Sequence, residues 1–409
     1  MKVWIKLLIG SAAGLILGFL LPDNQRFTDV LIWLEQMVLR IGRYAIIPMI
    51  VFSLTISVYE LRQDGRFWQM VVKNFLVIAG ISVFVIFAGV LATFIFTPSK
   101  IFIPHEEQVG TIGLTIADNI QELFPYNMLS VLAADGVYLF PVCVFAFFLG
   151  MGLSYDKSYA RPVISFIDSL SRIFYHIASF FIEILGFLMI VLSCYWAIRF
   201  RSVLGTDGYL YLILLLGILA VVLAFGILPL FLFFVKPKPN PWAIAYGSLG
   251  PAFAAFFSGD IHFSLPVLLK HNKENFGARR RSNVVSLMLF NTFCRAGSAM
   301  VAAVSLIVII KSYSRLGISF GGVMNIGLHA LLISFLLARH PGDGAYISLA
   351  VLCIGYGSGY EPGYLNLKPL AFYLIAVGTF LDVMIASLAS YAVAKGSGFV
   401  EEKSVKHYI

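Results

Sequence analysis

Apolar stretches at 4–21, 29–59, 67–97, 137–154, 161–199 and 208–235 follow one another with little chain between them. A helix needs about 20 apolar residues to cross the hydrocarbon core of a bilayer, so this succession constrains the fold more than any other feature. Of the 409 residues, 60% are hydrophobic and 12% charged, and the mean hydropathy is +0.90. A soluble domain of this length has no interior large enough for that apolar surface, so lipid is the solvent for most of it. The formal charge of +8 does not point to nucleic acid, because the basic residues sit between the apolar segments, where they set membrane topology. Cys143, Cys194, Cys294 and Cys353 all fall inside apolar stretches without metal-ligand spacing and are expected to pack as free thiols. The first segment, Met1 to Leu21, carries Lys2 and Lys6 and then an apolar run, in the manner of a signal peptide. No small-x-small cleavage site follows, and Pro22-Asp23 end it, so it is expected to stay as the first spanning helix.

With the N-terminus placed inside, Lys2, Lys6, Arg62, Arg66, Lys73, Lys157, Arg161, Lys236 and Lys238 fall at inner ends, against Arg26, Lys100, Arg199 and Arg201 at outer ends. Gly42 and Pro48 predict a kink in the long second segment. The polar stretch from Ser99 to Tyr126, with His105, Glu106, Glu107 and Asp118, reads as an extramembrane loop.

After Pro241 the grammar changes. Trp242–Phe257 is apolar, Ser258-Gly259-Asp260-Ile261-His262 interrupts, and Phe263–Leu269 is apolar again; each arm is too short to cross. This reads as a re-entrant hairpin, returned to the inner face by Lys270, Lys273, Arg279, Arg280 and Arg281. A spanning segment from Asn283 to Ile310 is broken at Asn291–Ser298, around Cys294-Arg295-Ala296-Gly297. Then the pattern repeats: Val323–Ala338, the interruption Arg339-His340-Pro341-Gly342-Asp343-Gly344, Ala345–Ile354, and a last helix, Pro369–Ala394. Hairpin and spanning helix, twice and from opposite faces, form an inverted repeat. Its broken helices aim backbone dipoles at whatever lies between them, which is a solute site inside the membrane.

Charges at such a site are the sharpest signals, because an unpaired one in lipid costs several kcal/mol or more. Arg295 is either a structural cation paired with a carboxylate such as Asp382 or a fixed charge that receives a solute carboxylate. Arg339 and His340, followed by Pro341, Gly342, Asp343 and Gly344, form a candidate anion cradle, with Asp343 orienting Arg339; the plain alternative is an exposed tip. Asp260 and His262 at the first tip titrate, pair with Arg295, or simply face solvent. Asp382 is a counter-ion to Arg295 or a proton carrier. Glu35, Arg40, Arg43, Arg172, His176 and Glu183 in the first half are expected to serve helix packing, interfacial snorkelling or subunit contact. The sequence holds no Walker loop, metal-ligand cluster or nucleophile–base pair, so neither an enzyme nor an ATP-driven pump is expected, and no cofactor or metal.

Several motifs resemble the dicarboxylate/amino acid:cation symporter family, which includes the glutamate transporters, over nearly the whole chain. Phe124-Pro125, Gly136 and Pro141–Gly150 resemble its "NPF…G…LP.I.FAI.LG" passage. Ser264-Leu265-Pro266 matches the "TLP" after the first hairpin tip, Pro341–Ala345 resembles "PGAGA", and Ala394-Lys395 ends the last helix in the family manner. The resemblance implies an all-α membrane protein of the elevator type, with eight transmembrane helices plus two opposed re-entrant hairpins, assembled as a homotrimer in the inner membrane with both termini cytoplasmic. In those terms residues 1–66 hold scaffold helices 1–2, 67–100 transport-domain helix 3, 101–203 a loop and scaffold helices 4–5, and 204–238 transport-domain helix 6. The first hairpin takes 239–275, helix 7 282–312, the second hairpin 320–358, helix 8 366–396 and a cytoplasmic tail 397–409.

The departures are as informative. The family's "NMDGT" falls on Cys294-Arg295-Ala296-Gly297-Ser298. Its "RTxxNVxGD" falls on Gly378–Ala386, where of the polar residues only Thr379 is kept, Asp382 replaces the Asn, Gly378 the substrate arginine and Ala386 the sodium Asp. The amine-binding Asp becomes Ile375. The expected solute contacts are therefore Arg295, Arg339, Ser298, Thr379, His340, Gly342 and Asp382, with Asp260, His262, Asp343 and Asp382 as coupling or gating groups. Sodium coupling in the family manner is not expected, since the hard oxygen ligands are largely gone. With no amine-binding Asp, the expected solute is an organic anion such as a C4 dicarboxylate, moved by proton coupling, exchange or uniport. An acidic or neutral amino-acid symporter, an anion channel and a non-transporting sensor are the alternatives.

Overall fold

The computed structural model describes residues 3–22, 24–95, 116–155, 157–204, 208–235, 240–313, 318–357 and 359–401. His105, Glu106 and Glu107 of the expected loop, and Lys2, Lys100, Lys236, Lys238, Lys403 and Lys406, lie outside them. The described residues are nearly all helical, with an isolated bridge between Ala278 and Val400.

The first helix, α1 (Val3–Leu20), carries Gly10, Gly14 and Gly18 at four-residue spacing, which puts them on one face. A Cβ at Gly10 would lie 2.1 Å from the Gly186 carbonyl oxygen, and one at Gly14 2.3 Å from that of Ile190. These glycines let α1 run backbone to backbone with α7 (Lys157–Leu204), in the small-residue packing that replaces the hydrophobic drive in lipid. The second apolar stretch is two helices, α2 (Gln25–Arg43) and α3 (Ile46–Gln63), separated at Tyr44-Ala45. Pro48 sits in the first turn of α3, where its missing N–H is harmless, so the break precedes it. α4 (Phe67–Ile95) follows. The expected loop is partly ordered, with α5 (Ile116–Leu123) and a short 3-10 turn at Met128–Ala133. Next is α6 (Phe140–Leu153), whose 14 residues extend only about 21 Å, short of a bilayer core. Among the described residues seven helical segments are long and apolar enough to cross a membrane, and α6 is not one of them.

α8 (Tyr209–Val221) and α9 (Leu228–Val235) are joined by a π segment at Val222–Ile227. The first hairpin is α10 (Pro241–Gly247) and α11 (Leu249–Ser258) against α12 (Ile261–Glu274). α13 (Arg280–Phe293) and α14 (Ala296–Tyr313) form the broken spanning segment. The second hairpin is α15 (Phe320–Ser334) against α16 (Gly344–Tyr356), and α17 (Gly363–Asn366) leads to the last helix, α18 (Ala371–Gly396).

α14 and α18 are buried along nearly their whole described length, enclosed by α4, α11, α13 and α16. Small residues make that possible: Ala296, Gly297, Ser298, Ala299, Ala302 and Ala303 let neighbouring helices approach closely. α1, α2, α3, α6 and α7 pack mainly on one another, meeting the remainder chiefly through α3 on α13 and α1 on α11, with α2 and α7 also touching the first hairpin. The basic loops gather at one end. There Arg280 bridges Glu60 (2.8 Å) and Asp168 (2.6 Å), Arg281 meets Asp64, and Lys6 and Lys270 share Glu183. The beginning of the expected tail is not loose. Phe399 is buried, its carbonyl accepts the Arg279 N–H (2.9 Å), and the Glu401 N–H reaches the Gly277 carbonyl (2.9 Å), an approach that a side chain at Gly277 would block.

Candidate functional site

Each hairpin turns on residues that suit a sharp reversal. α11 ends at Ser258, Gly259 takes the left-handed conformation (φ 64°) that favours glycine, and Asp260 caps α12 by accepting the His262 N–H at 2.9 Å. In the second hairpin the chain passes from α15 through a 3-10 turn at Leu337–Arg339 and across Pro341-Gly342 to the start of α16. The two tips touch: the Ile261 N–H donates to the Pro341 carbonyl at 3.2 Å, and a Cβ at Gly342 would lie 3.9 Å from that of Asp260.

Behind the tips α13 stops at Phe293 and α14 starts at Ala296, so Cys294-Arg295 form the expected break. Arg295 is wholly buried. Its Nε donates to the Asp382 carboxylate at 2.9 Å, and Nη2 lies 3.3 Å from the Ser298 hydroxyl. Asp382, reaching across from α18, also accepts the Gly297 N–H (2.7 Å), the Ser298 N–H (3.2 Å) and the Ser298 hydroxyl (2.6 Å). This carboxylate therefore caps the positive N-terminus of α14 from another helix while it neutralises Arg295. The far side of the guanidinium is not matched. Nη1 has no partner among the described residues, and Nη2 packs against the start of α16, 2.7 Å from where a Gly344 Cβ would stand. Two positive features, the outer guanidinium nitrogens and the α16 N-terminus, thus face each other directly behind the tips, which is an arrangement suited to an anion.

The expected site residues divide accordingly. Arg295, Ser298 and Asp382 come together, with His262 within electrostatic reach of Arg295. Asp260 pairs with Arg43 of α2 (2.5–2.6 Å), a partner far off in sequence; neither Arg295 nor solvent takes it, for it is 2% exposed. Arg43 closes the last turn of α2, an amphipathic helix with other charged residues, so nothing in its position separates it from an ordinary packing or interfacial charge. His262 is buried with Nδ1 3.2 Å from the Gly136 carbonyl. Arg339 turns away: it pairs with Glu122 of α5 (2.8 Å) and lies over the Tyr138 ring, beside an open vestibule of about 810 Å³. His340 contacts Asp343 at 3.2 Å, so Asp343 orients the histidine, while Arg339 takes Glu122 instead. Gly342 serves the tip-to-tip contact. The Thr379 hydroxyl is taken up by the carbonyls of Ile375 (2.9 Å), Ala255 and Ala376 (3.1 Å each). At Gly378, where the resemblance placed a substrate arginine, Ser298 Cα (3.0 Å) and Ala345 Cβ (3.1 Å) fill the side-chain space, and the Ile375 side chain lies 3.1 Å from where a Gly259 Cβ would stand.

Helices that end inside a multi-pass membrane protein, around a buried cation and behind two touching hairpin tips, are the arrangement of a membrane transporter. The sodium:dicarboxylate symporter family matches residues 3–396, and the chain belongs to it. It is 23% identical to the excitatory amino acid transporter of Caenorhabditis elegans over 95% of this chain and 84% of that one. The proton/sodium-glutamate symport protein of Bacillus subtilis (strain 168) is 23% identical over 55% of this chain and 54% of its own. C4-dicarboxylate transport protein 3 of Ralstonia nicotianae is 23% identical over 42% and 40%. The protein is a transporter, not an enzyme.

Proposed function

We propose that the protein carries a small organic anion, by preference a C4 dicarboxylate, across the inner membrane by an elevator movement. The observation that carries this is the outer edge of Arg295, buried, without a partner at Nη1 among the described residues, and set against the N-terminus of α16. One carboxylate seats on Nη1 and Nη2, and the remainder of the solute extends under the tips towards His262. Arg339 acts at the entrance, exchanging Glu122 for an incoming carboxylate. Ile375 and Gly378 offer no group for an amine or for a side-chain carboxylate, which sets this site apart from one for α-amino acids.

Arg295 stands where bound cations would otherwise supply positive charge, so transport needs no sodium. Asp382, surrounded by donors on both oxygens, is a counter-ion, which leaves Asp260, His262 and Asp343 as the coupling or gating groups at the tips. The mutual packing of α1, α2, α3, α6 and α7 supports a scaffold, against which α4, α8–α9, the hairpins, α13–α14 and α18 move. The family frame supports a trimer, and the basic end supports cytoplasmic termini. An acidic or neutral amino-acid symporter is the second reading, favoured by the names of the relatives.

Uptake of labelled succinate and aspartate into proteoliposomes, with and without a sodium gradient, tests this. Saturable, sodium-independent succinate uptake that Arg295→Ala abolishes is the expected result. Sodium-driven aspartate uptake, non-saturating current, binding without flux, or an Arg295→Ala variant that still binds succinate each overturns it.

A further inference from the structure

Beyond α18 the chain lies across the base of the first hairpin. The Arg279 N–H donates to the Phe399 carbonyl (2.9 Å), the Glu401 N–H donates to the Gly277 carbonyl (2.9 Å), and Ala278 and Val400 form the antiparallel bridge between them. Main-chain bonds thus fix this strand to the turn that joins α12 to α13. Its side chains reach further. Phe399 is 2% exposed, and two cations lie over its ring: the guanidinium carbon of Arg281 is 4.9 Å from the ring centroid and that of Arg66 5.8 Å. Lys73 of α4 is 3.3 Å from the Ser397 hydroxyl.

Arg66 is the informative partner, because it belongs to the turn between α3 and α4. α3 packs most closely on α6 and α7, and α4 on α14 and α15. That turn is therefore the first place where the chain passes from the proposed scaffold to the part proposed to move. It is lightly held. Gly65 takes the left-handed conformation (φ 67°), and no described neighbour stands within 4 Å of where its Cβ would lie. The Gly65 and Arg66 N–H groups cap α3, donating to the Arg62 and Leu61 carbonyls at 3.0 Å each. Sideways, the turn is tied by Asp64 to Arg281 and by Arg66 to Phe399.

We propose that residues 397–401 act as a brake on this hinge, with Phe399 as the part that grips. The strand travels with α13 and α18, to which the main chain holds it, whereas the ring must release Arg66 whenever the α3–α4 turn flexes. Bulk alone does not serve, because two guanidinium groups repel one another and an aromatic face attracts both. The brake rests on the proposed division into scaffold and moving part, but its first test needs no transport.

Amide exchange is followed by mass spectrometry on the full-length protein in lipid nanodiscs. In Phe399→Leu the turn at residues 64–66 should exchange about three- to fivefold faster, while residues 277–281 keep their native rates. Phe399→Tyr keeps the aromatic face and should exchange at the native rate. Arg66→Gln changes an exposed side chain and should reproduce the leucine variant, which covers the case in which that variant does not fold. Initial solute uptake into proteoliposomes should rise by a similar factor at unchanged half-saturation. Unchanged exchange at the turn in Arg66→Gln or in folded Phe399→Leu, an equal rise at residues 277–281, fast exchange in Phe399→Tyr, or faster exchange without faster uptake overturns the proposal. Absence of uptake by the native protein counts instead against the transport reading, and exchange then decides on the brake.

Discussion

Arg295 and Asp382 hold one another across helices with almost no exposure, so neither tolerates loss of the other. Asp382→Asn leaves a buried guanidinium uncompensated while keeping an oxygen to cap α14; it should cost about 3–5 kcal/mol, seen as a lower midpoint in thermal unfolding. Removing both charges together, with Arg295→Met added, should restore much of that loss, and a double-mutant cycle measures how much. Arg295→Lys keeps the charge but loses the planar fork, so solute affinity should fall at least about tenfold with the fold intact, measured by titration calorimetry. Gly344→Ala should also weaken binding, because its methyl group meets Nη2 at 2.7 Å and must displace it. Both charges, and their pairing as one alternative, were legible in the sequence, since ionisable groups inside apolar helices demand partners. The partners of Asp260 and Arg339 were not. Asp260 and Arg43 stand 217 positions apart, and hydropathy carries no information on which distant side chains meet.

The hairpins are the elements that the sequence marks most clearly, because two arms too short to cross flank polar residues with Gly and Pro. The first runs Pro241–Glu274 where 239–275 was expected, and the second Phe320–Tyr356 where 320–358 was. Their tip contact supplies a test. With Cβ positions 3.9 Å apart, Asp260→Cys and Gly342→Cys fall within disulfide range; oxidation should join the tips and stop solute binding, reductant should restore it, and each single variant should not respond. The α1–α7 contact was missed, although Gly10, Gly14 and Gly18 are a small-xxx-small series open to anyone reading for it. Gly14→Leu should cut the yield of folded protein sharply, because its side chain meets backbone and cannot be relieved by a rotamer change. Short α6 escaped the sequence for a different reason: apolar composition shows what lipid tolerates, but not where a helix starts.

Across the whole molecule, Arg43–Asp260, the His262–Gly136 contact and Phe263 lying in the notch at Gly42 join the first hairpin to α2 and the loop before α6. Any displacement of the hairpin past α2 must break them. Arg43→Ala should therefore speed amide exchange at the hairpin tip and shift the population away from this arrangement, read by hydrogen-exchange mass spectrometry. Global architecture of this kind was legible only as grammar, the alternation of hairpin and spanning helix; which face of α2 the hairpin rests on depends on contacts between segments that the chain order does not bring together.

The unanswered edge of Arg295 also bears on the round trip. On the proposed elevator cycle, the loaded site crosses with that guanidinium edge covered by solute. Empty, the same N–H groups must travel through a low-dielectric interior with nothing to meet them, so the return leg is the slower one. Flux of labelled solute out of preloaded vesicles should then accelerate several-fold when unlabelled solute waits on the far side.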